Sequence, residues 1–148
     1  MSREVSVEHV RPATLELMRS ALLGAGLPVE DIEDPGLTFR VFRVGREIVG
    51  FGGLERCGED WLLRSVVVDS QHRGEGLGRR SVETLLSIAR DAGARSLYLL
   101  TKDAAEFFAS LDFVEADRQM APEAVRTTRQ MSSLCPGSAK LLMRDLAR

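Results

Sequence analysis

The run Val66-Val67-Val68-Asp69-Ser70-Gln71-His72-Arg73-Gly74-Glu75-Gly76-Leu77-Gly78-Arg79-Arg80 limits what this chain can fold into more than any other segment. Three β-branched residues predict a buried strand. Leu77, Val82, Leu85, Leu86 and Ala89 recur at helical spacing up to Gly93, a natural C-terminal stop. Between the two stands a polar loop with glycine at every second position from Gly74 to Gly78. Glycine permits positive φ and lets a ligand approach the main chain closely. The first turn of a helix has unpaired N–H groups and partial positive charge, so such a loop feeding a helix is suited to an anion. Arg73, Arg79 and Arg80 add full charges beside it. A phosphate or pyrophosphate is the implied ligand.

Three phosphate-binding patterns compete for the loop. A Walker loop ends in Gly-Lys-Ser/Thr, whereas Gly78 is followed by Arg79-Arg80. A dinucleotide fingerprint needs Gly-x-Gly-x-x-Gly in an early βαβ unit; here the spacing is Gly74-x-Gly76-x-Gly78, after several strands. The third pattern, Arg/Gln-x-x-Gly-x-Gly/Ala, is met by Arg73-x-x-Gly76-x-Gly78.

The rest of the chain supplies the frame. Val5 and Val7 alternate with Ser6 and Glu8 as a first strand, and a helix follows from about Thr14, a plausible N-cap. Leu37–Val44 and Glu47–Glu55 read as a hairpin turning at Gly45-Arg46, and Trp61–Asp69 as the next strand. Ser96–Leu100 predicts another strand, Asp103 with Glu106 a capped short helix, and Phe113–Ala116 a sixth strand. Pro122 is placed to open a helix through about Met131, and Lys140–Leu146 to form a seventh strand. At 148 residues, with no repeat or linker, residues 1–148 are expected to form a single domain. The expected class is mixed α+β: a central twisted, mostly antiparallel sheet of six to seven strands flanked by helices.

A net charge of −2 offers nucleic acid or an anionic membrane no global attraction, so neither is an expected partner and any basic site must be local. Cys57 and Cys135 fit no metal-ligand spacing, and no metal is expected. The N-terminus lacks the apolar core of a signal peptide, and no apolar run reaches the length of a membrane span. A cytoplasmic monomer or homodimer is the expectation.

On the loop, the strand order around it and the segment Phe107-Phe108-Ala109-Ser110-Leu111-Asp112-Phe113, the chain resembles the GNAT superfamily of N-acetyltransferases. The resemblance implies acetyl-CoA as cosubstrate. Backbone groups of Val66, Val67 and Val68 would then pair with the pantetheine arm. The amides of Arg73, Gly74, Glu75, Gly76, Leu77, Gly78 and Arg79 would hold the pyrophosphate, and the thioester would enter a splayed gap between the Val66–Val68 and Ser96–Leu100 strands. Phe108 stands at the coenzyme where the superfamily often has a proton-donating Tyr, and Asp112 where it usually has Gly.

Acetyl transfer to an amine needs a base, a polarised carbonyl and a proton for the departing sulfur. Glu55, at a strand end, is the candidate base, set against a plain solvated carboxylate. Tyr98, the only tyrosine, is the candidate acid, set against a packing role in its strand. Arg126 and Arg129 are three apart, so on a helix they would share a face suited to an oxyanion. Leu62-Leu63-Arg64-Ser65, Leu97–Thr101, Phe107-Phe108, Arg126-x-Thr128-Arg129 and Ser133-Leu134-Cys135-Pro136 together resemble the acetyltransferases associated with arsenic resistance. That resemblance implies a detoxifying role and adds Arg64 and Cys135 to the acceptor-binding candidates. The Cys135 thiolate is a soft ligand for trivalent arsenic, or else a buried, inert thiol. The leading expectation is an N-acetyltransferase acting on a small, anionic amine. Its rivals are a non-catalytic acyl-CoA-binding module and an acetyltransferase of protein amines, which would need an open peptide groove beside Pro122–Met131.

Overall fold

The computed structural model describes residues 4–69, 76–134 and 138–146. Seven strands form one sheet: β1 (Ser6–His9), β2 (Leu37–Val44), β3 (Glu47–Glu55), β4 (Asp60–Val68), β5 (Ser96–Thr101), β6 (Val114–Ala116) and β7 (Lys140–Asp145). Their order is β1-β2-β3-β4-β5-β7-β6, and every neighbouring pair is antiparallel except β4 with β5. The helices are α1 (Pro12–Gly24), α2 (Leu77–Asp91), α3 (Ala105–Ala109) and α4 (Glu123–Arg126). This is the mostly antiparallel, helix-flanked sheet expected. Among the described residues no helix is long and apolar enough to cross a membrane.

The hairpin β2–β3 has the boundaries its alternation predicts, turning at Gly45-Arg46. Helix α2 buries Leu77, Val82, Leu85, Leu86 and Ala89, its apolar stripe, in one cluster with Phe42, Trp61, Leu63 and Leu97 of the sheet. On the opposite face, Met18 and Leu22 of α1 pack on Phe39, Val41 and Phe51, while Val125 of α4 and Met131 cover Leu62 and Leu141. Helices thus cover both faces, and the sheet itself decides where a ligand can enter.

Several local expectations fail. The N-cap of α1 is Arg11, with Pro12 at the first helical position; Thr14 Oγ1 accepts from Arg11 N–H at 2.9 Å and donates back to the Arg11 carbonyl. The pairing that Asp103 and Glu106 suggest is not made either: α3 starts after Ala104, whose N–H donates to Thr101 Oγ1 at 2.9 Å. The helix expected from Pro122 to Met131 breaks. Four residues of α4 are followed by Thr127 and Thr128, then a π turn over Gln130–Leu134. The Thr127 and Thr128 hydroxyls donate to the Glu123 and Val125 carbonyls, competing with helix continuation. Finally, Val66, Val67 and Val68 are half-buried, not enclosed as a strand centre. The cleft described next lies against them.

Candidate active site

Strands β4 and β5 pair across only three positions, Asp60↔Ser96, Trp61↔Leu97 and Leu62↔Tyr98. Beyond the third the strands part. The cause lies in β4, where Ser65 has a φ of 58°, a left-handed backbone inside a strand, and the pairing with β3 shifts register opposite it. A bulge of this kind bends its strand and re-aims the side chains that follow. Holding a non-glycine residue there costs on the order of 1–3 kcal/mol, so its surroundings must enforce it. The gap is a cleft of about 660 Å³. Ser65 to Val68 form one wall, Leu99 to Ala104 the other, and Leu23 at the end of α1 with the following segment Ala25 to Glu30 closes a third side, with Phe108 and Gln130 contributing. The volume suits a sizeable organic ligand.

Near the C-terminal end of β4, helix α2 begins behind Gly76, whose φ of 75° is the left-handed conformation that favours glycine. No side chain caps the first turn of α2 and no acidic residue lies in it; Arg79 and Arg80 stand there instead. That is the reverse of the charge preference of a helix N-terminus, and the arrangement fits a bound anion. A Cβ on Gly78 would lie 3.5 Å from the Phe107 ring and 3.8 Å from Val68, so this turn abuts the cleft wall. Arg79 Nη2 donates to the Ser110 carbonyl and hydroxyl at 3.3 and 3.2 Å, tying α2 to the end of α3. Phe108 is buried in edge-to-face contact with Phe107 and Phe113. Arg73, Gly74 and Glu75 of the phosphate-loop expectation, like Cys135, lie outside the described residues.

Arg64 does not present its charge to a ligand. Its side chain is 0% exposed, and Nη1 and Nη2 donate to Asp31 Oδ2 and Oδ1 at 2.5 and 2.6 Å. Nε donates to Ser65 Oγ at 3.2 Å, so the guanidinium bridges the bulge to the segment after α1. Glu55 Oε1 sits 3.6 Å from Arg64 Nη1 and is buried without a hydrogen-bond partner. Burial raises the Glu55 pKa, Arg64 opposes the rise, and Asp31 adds to it. Glu55 thus faces the Arg64 guanidinium as an ion pair and does not itself line the cleft, while its raised proton affinity is the property a general base needs.

Glu55 pairs with Leu62, and Leu62 with Tyr98, so the Glu55 and Tyr98 side chains share one face, two strands or roughly 10 Å apart. Tyr98 sits at the last paired position before the strands part. It packs beside the Leu62 cluster, and burial, with Asp60 nearby, raises its pKa. The described acceptor arginines do not share a helix face, since α4 ends at Arg126. Arg126 Nε donates to the Ala121 carbonyl at 3.0 Å, and Arg129 Nη1 pairs with Asp34 Oδ2 at 2.9 Å. Neither lines the cleft, and Glu55 and Tyr98 also stand behind its lining residues. Cys57 is buried and its thiol is pushed up to about 12, chiefly by desolvation, which makes it unreactive at neutral pH.

Sequence reasoning passed over Asp31, Ser65 and Gln130. A signal existed for the first: Arg64 inside the apolar run Trp61–Val68 demands a buried carboxylate, and the acidic stretch Glu30–Asp34 supplies one. Nothing local announces the bulge at Ser65.

A family model for acetyltransferases of the GNAT family matches residues 11–113. Glucosamine 6-phosphate N-acetyltransferase 1 of Oryza sativa subsp. japonica is 36% identical over 115 residues, covering 74% of this chain and 69% of that protein. The amino-acid acetyltransferase of Mycobacterium tuberculosis is 36% identical over 72 residues, covering 48% of this chain and 41% of its own length. In structure, the N-acetylglutamate synthase of Neisseria gonorrhoeae, complexed with coenzyme A and N-acetyl-glutamate, superposes with a TM-score of 0.82 at 19% identity, over 100% of this chain. This chain spans only 36% of that one, so the likeness is one of fold. The chain belongs to the acetyltransferase (GNAT) family.

Proposed function

We propose that the chain transfers the acetyl group of acetyl-CoA to the amine of a small acceptor. The observation that carries this reading is the bulged, splayed β4–β5 cleft running up to an uncapped, arginine-bearing helix N-terminus. In this reading the amides of Gly76 to Arg79 hold the pyrophosphate, extended by Arg73, Gly74 and Glu75. The Val66–Val68 backbone pairs with the pantetheine arm and polarises the thioester carbonyl, and Phe108 packs beside it. The amine nitrogen attacks the carbonyl carbon, the new C–N bond forms and the C–S bond breaks. Glu55 takes the proton the amine loses, directly or through one water. Tyr98, whose phenol carries a proton at neutral pH, protonates the leaving thiolate; the burial that raises its pKa opposes this transfer, so the donation has to be driven by the charge developing on sulfur.

The acceptor is proposed at class level only. Relatives named for glucosamine 6-phosphate and for amino acids make these the first acceptors to try. A role in arsenic or amino-acid-analogue resistance rests on the short motifs alone. With Arg126 and Arg129 away from the cleft and Arg64 paired, an anionic acceptor would lean on Lys102, the remaining described cation in its wall. A non-catalytic acyl-CoA-binding module draws support from Phe108, which has no proton to give where the family often has one.

Calorimetric titration with acetyl-CoA, followed by free-thiol release with glucosamine 6-phosphate, L-glutamate and arsenical amino-acid analogues, separates these readings. Binding with turnover supports the enzyme, binding without turnover favours the module, and no binding overturns both.

A further inference from the structure

We infer that Gln130 is an acceptor-contacting residue, its carboxamide oxygen taking a hydrogen bond from an N–H or O–H group on the amine substrate. The inference rests on the acetyltransferase reading and deepens it. Gln130 is 5% exposed, it lines the cleft, and its Oε1 is buried with no hydrogen-bond partner. A polar atom shut away unpaired costs about 1–3 kcal/mol, which a donor on a bound ligand would recover.

Its position is set from both sides. Thr128 spends its hydroxyl on the Val125 carbonyl and accepts from Met131 N–H at 3.2 Å, pinning the start of the π turn. Met131, buried beside Val125 and Leu62, anchors the next residue in the core. Short π segments are frequent at functional sites, where the widened turn re-aims a side chain. Held between these anchors, Gln130 occupies the cleft wall together with Ala139, while the bulged Ser65 lies in the β4 wall. The terminal amide torsion is soft, so a small rotation brings the oxygen to a bound donor without moving the backbone.

The chemistry limits what is recognised. An amide oxygen only accepts, so its complement is an amine, a hydroxyl or an amide N–H. A carboxylate or phosphate would need the opposite end of the carboxamide, and replacing glutamine by glutamate tells the two apart.

Three proteins answer the question: wild type, Gln130→Met and Gln130→Glu, each assayed for thermal unfolding without ligand, for acetyl-CoA affinity, and for thiol release with the best amine among glucosamine 6-phosphate, L-glutamate and their uncharged analogues. Gln130→Met is expected to leave acetyl-CoA affinity unchanged, to raise the amine KM about 10- to 100-fold, and to hold or raise the ligand-free melting temperature by about 2–4 °C. Gln130→Glu, which keeps an accepting oxygen, is expected to retain most of the amine affinity. An unchanged amine KM in Gln130→Met, an equal loss in Gln130→Glu, or a lower melting temperature in ligand-free Gln130→Met would each overturn the inference. Should wild type turn over none of these amines, the transferase reading fails, and the ligand-free melting temperature still decides whether the oxygen is structurally paired.

Discussion

Replacing Asp31 by alanine tests the view that a buried ion pair, not surface charge, shapes the cleft. Arg64 and Asp31 have side chains 0% and 3% exposed and share two short, parallel hydrogen bonds. In Asp31→Ala the guanidinium keeps Ser65 Oγ and a carboxylate 3.6 Å away on Glu55, but loses its bidentate partner inside the protein. Breaking a buried pair from one side typically costs about 3–5 kcal/mol, and the residual attraction of Glu55 puts this case near about 3 kcal/mol. For a chain of this size that lowers the melting temperature by about 6–12 °C. Urea unfolding at constant slope gives the free energy directly. Because Arg64 also holds Ser65, the same variant should bind acetyl-CoA more weakly than its stability loss explains, measured well below its melting point. The double variant Asp31→Leu/Arg64→Met should recover most of the stability without recovering coenzyme affinity, since apolar packing replaces the pair but not the bridge to the bulge. A loss below about 1 kcal/mol in Asp31→Ala would refute the reasoning, because it would mean the guanidinium reaches water.

Glu55→Gln should lower kcat/KM by about 10²–10⁴-fold at neutral pH with acetyl-CoA affinity intact; pH–rate profiles check it, wild type rising through a pKa above the ordinary glutamate value and the variant losing that limb. The stability sign runs the other way, because a folded-state pKa above the unfolded one makes the Glu55 contribution fullest at acid pH. It is lost as pH climbs from the unfolded glutamate value through the raised one, so Glu55→Gln should be relatively more stable than wild type above that window. Gly50→Ala would drive a Cβ into the Val67 carbonyl oxygen, costing about 1–3 kcal/mol and weakening acetyl-CoA binding through the displaced β4 backbone, both readable by calorimetry. Phe108→Tyr adds a hydroxyl to a buried residue of the cleft wall; single-turnover thiol release should be at least as fast as wild type, with ligand-free stability lowered by about 1–3 kcal/mol if the hydroxyl finds no partner.

Most of the frame was legible in the chain because it depends on period. The alternation of Leu37–Val44 and Glu47–Glu55 and the 3.6-residue stripe of α2 are local signals, and each appears in the structure at the expected place. The turn at Gly76 belongs with them, since its backbone demand and the uncapped helix behind it are written in adjacent residues. What depended on partners distant in sequence was not legible. Arg64 read as a ligand-binding cation until Asp31, 33 residues earlier, proved to occupy it. Arg126 and Arg129 read as neighbours on one helix until two threonine hydroxyls turned back on the main chain and Asp34 claimed Arg129. The cleft itself follows from a single strained residue, Ser65, whose conformation no local preference favours and which Arg64 helps to hold. Local sequence set most of the elements and the glycine turn at Gly76 that opens α2. The open β4–β5 edge, and the company each charged side chain keeps, came only from packing, because burial and pairing are properties of the folded neighbourhood rather than of the residue.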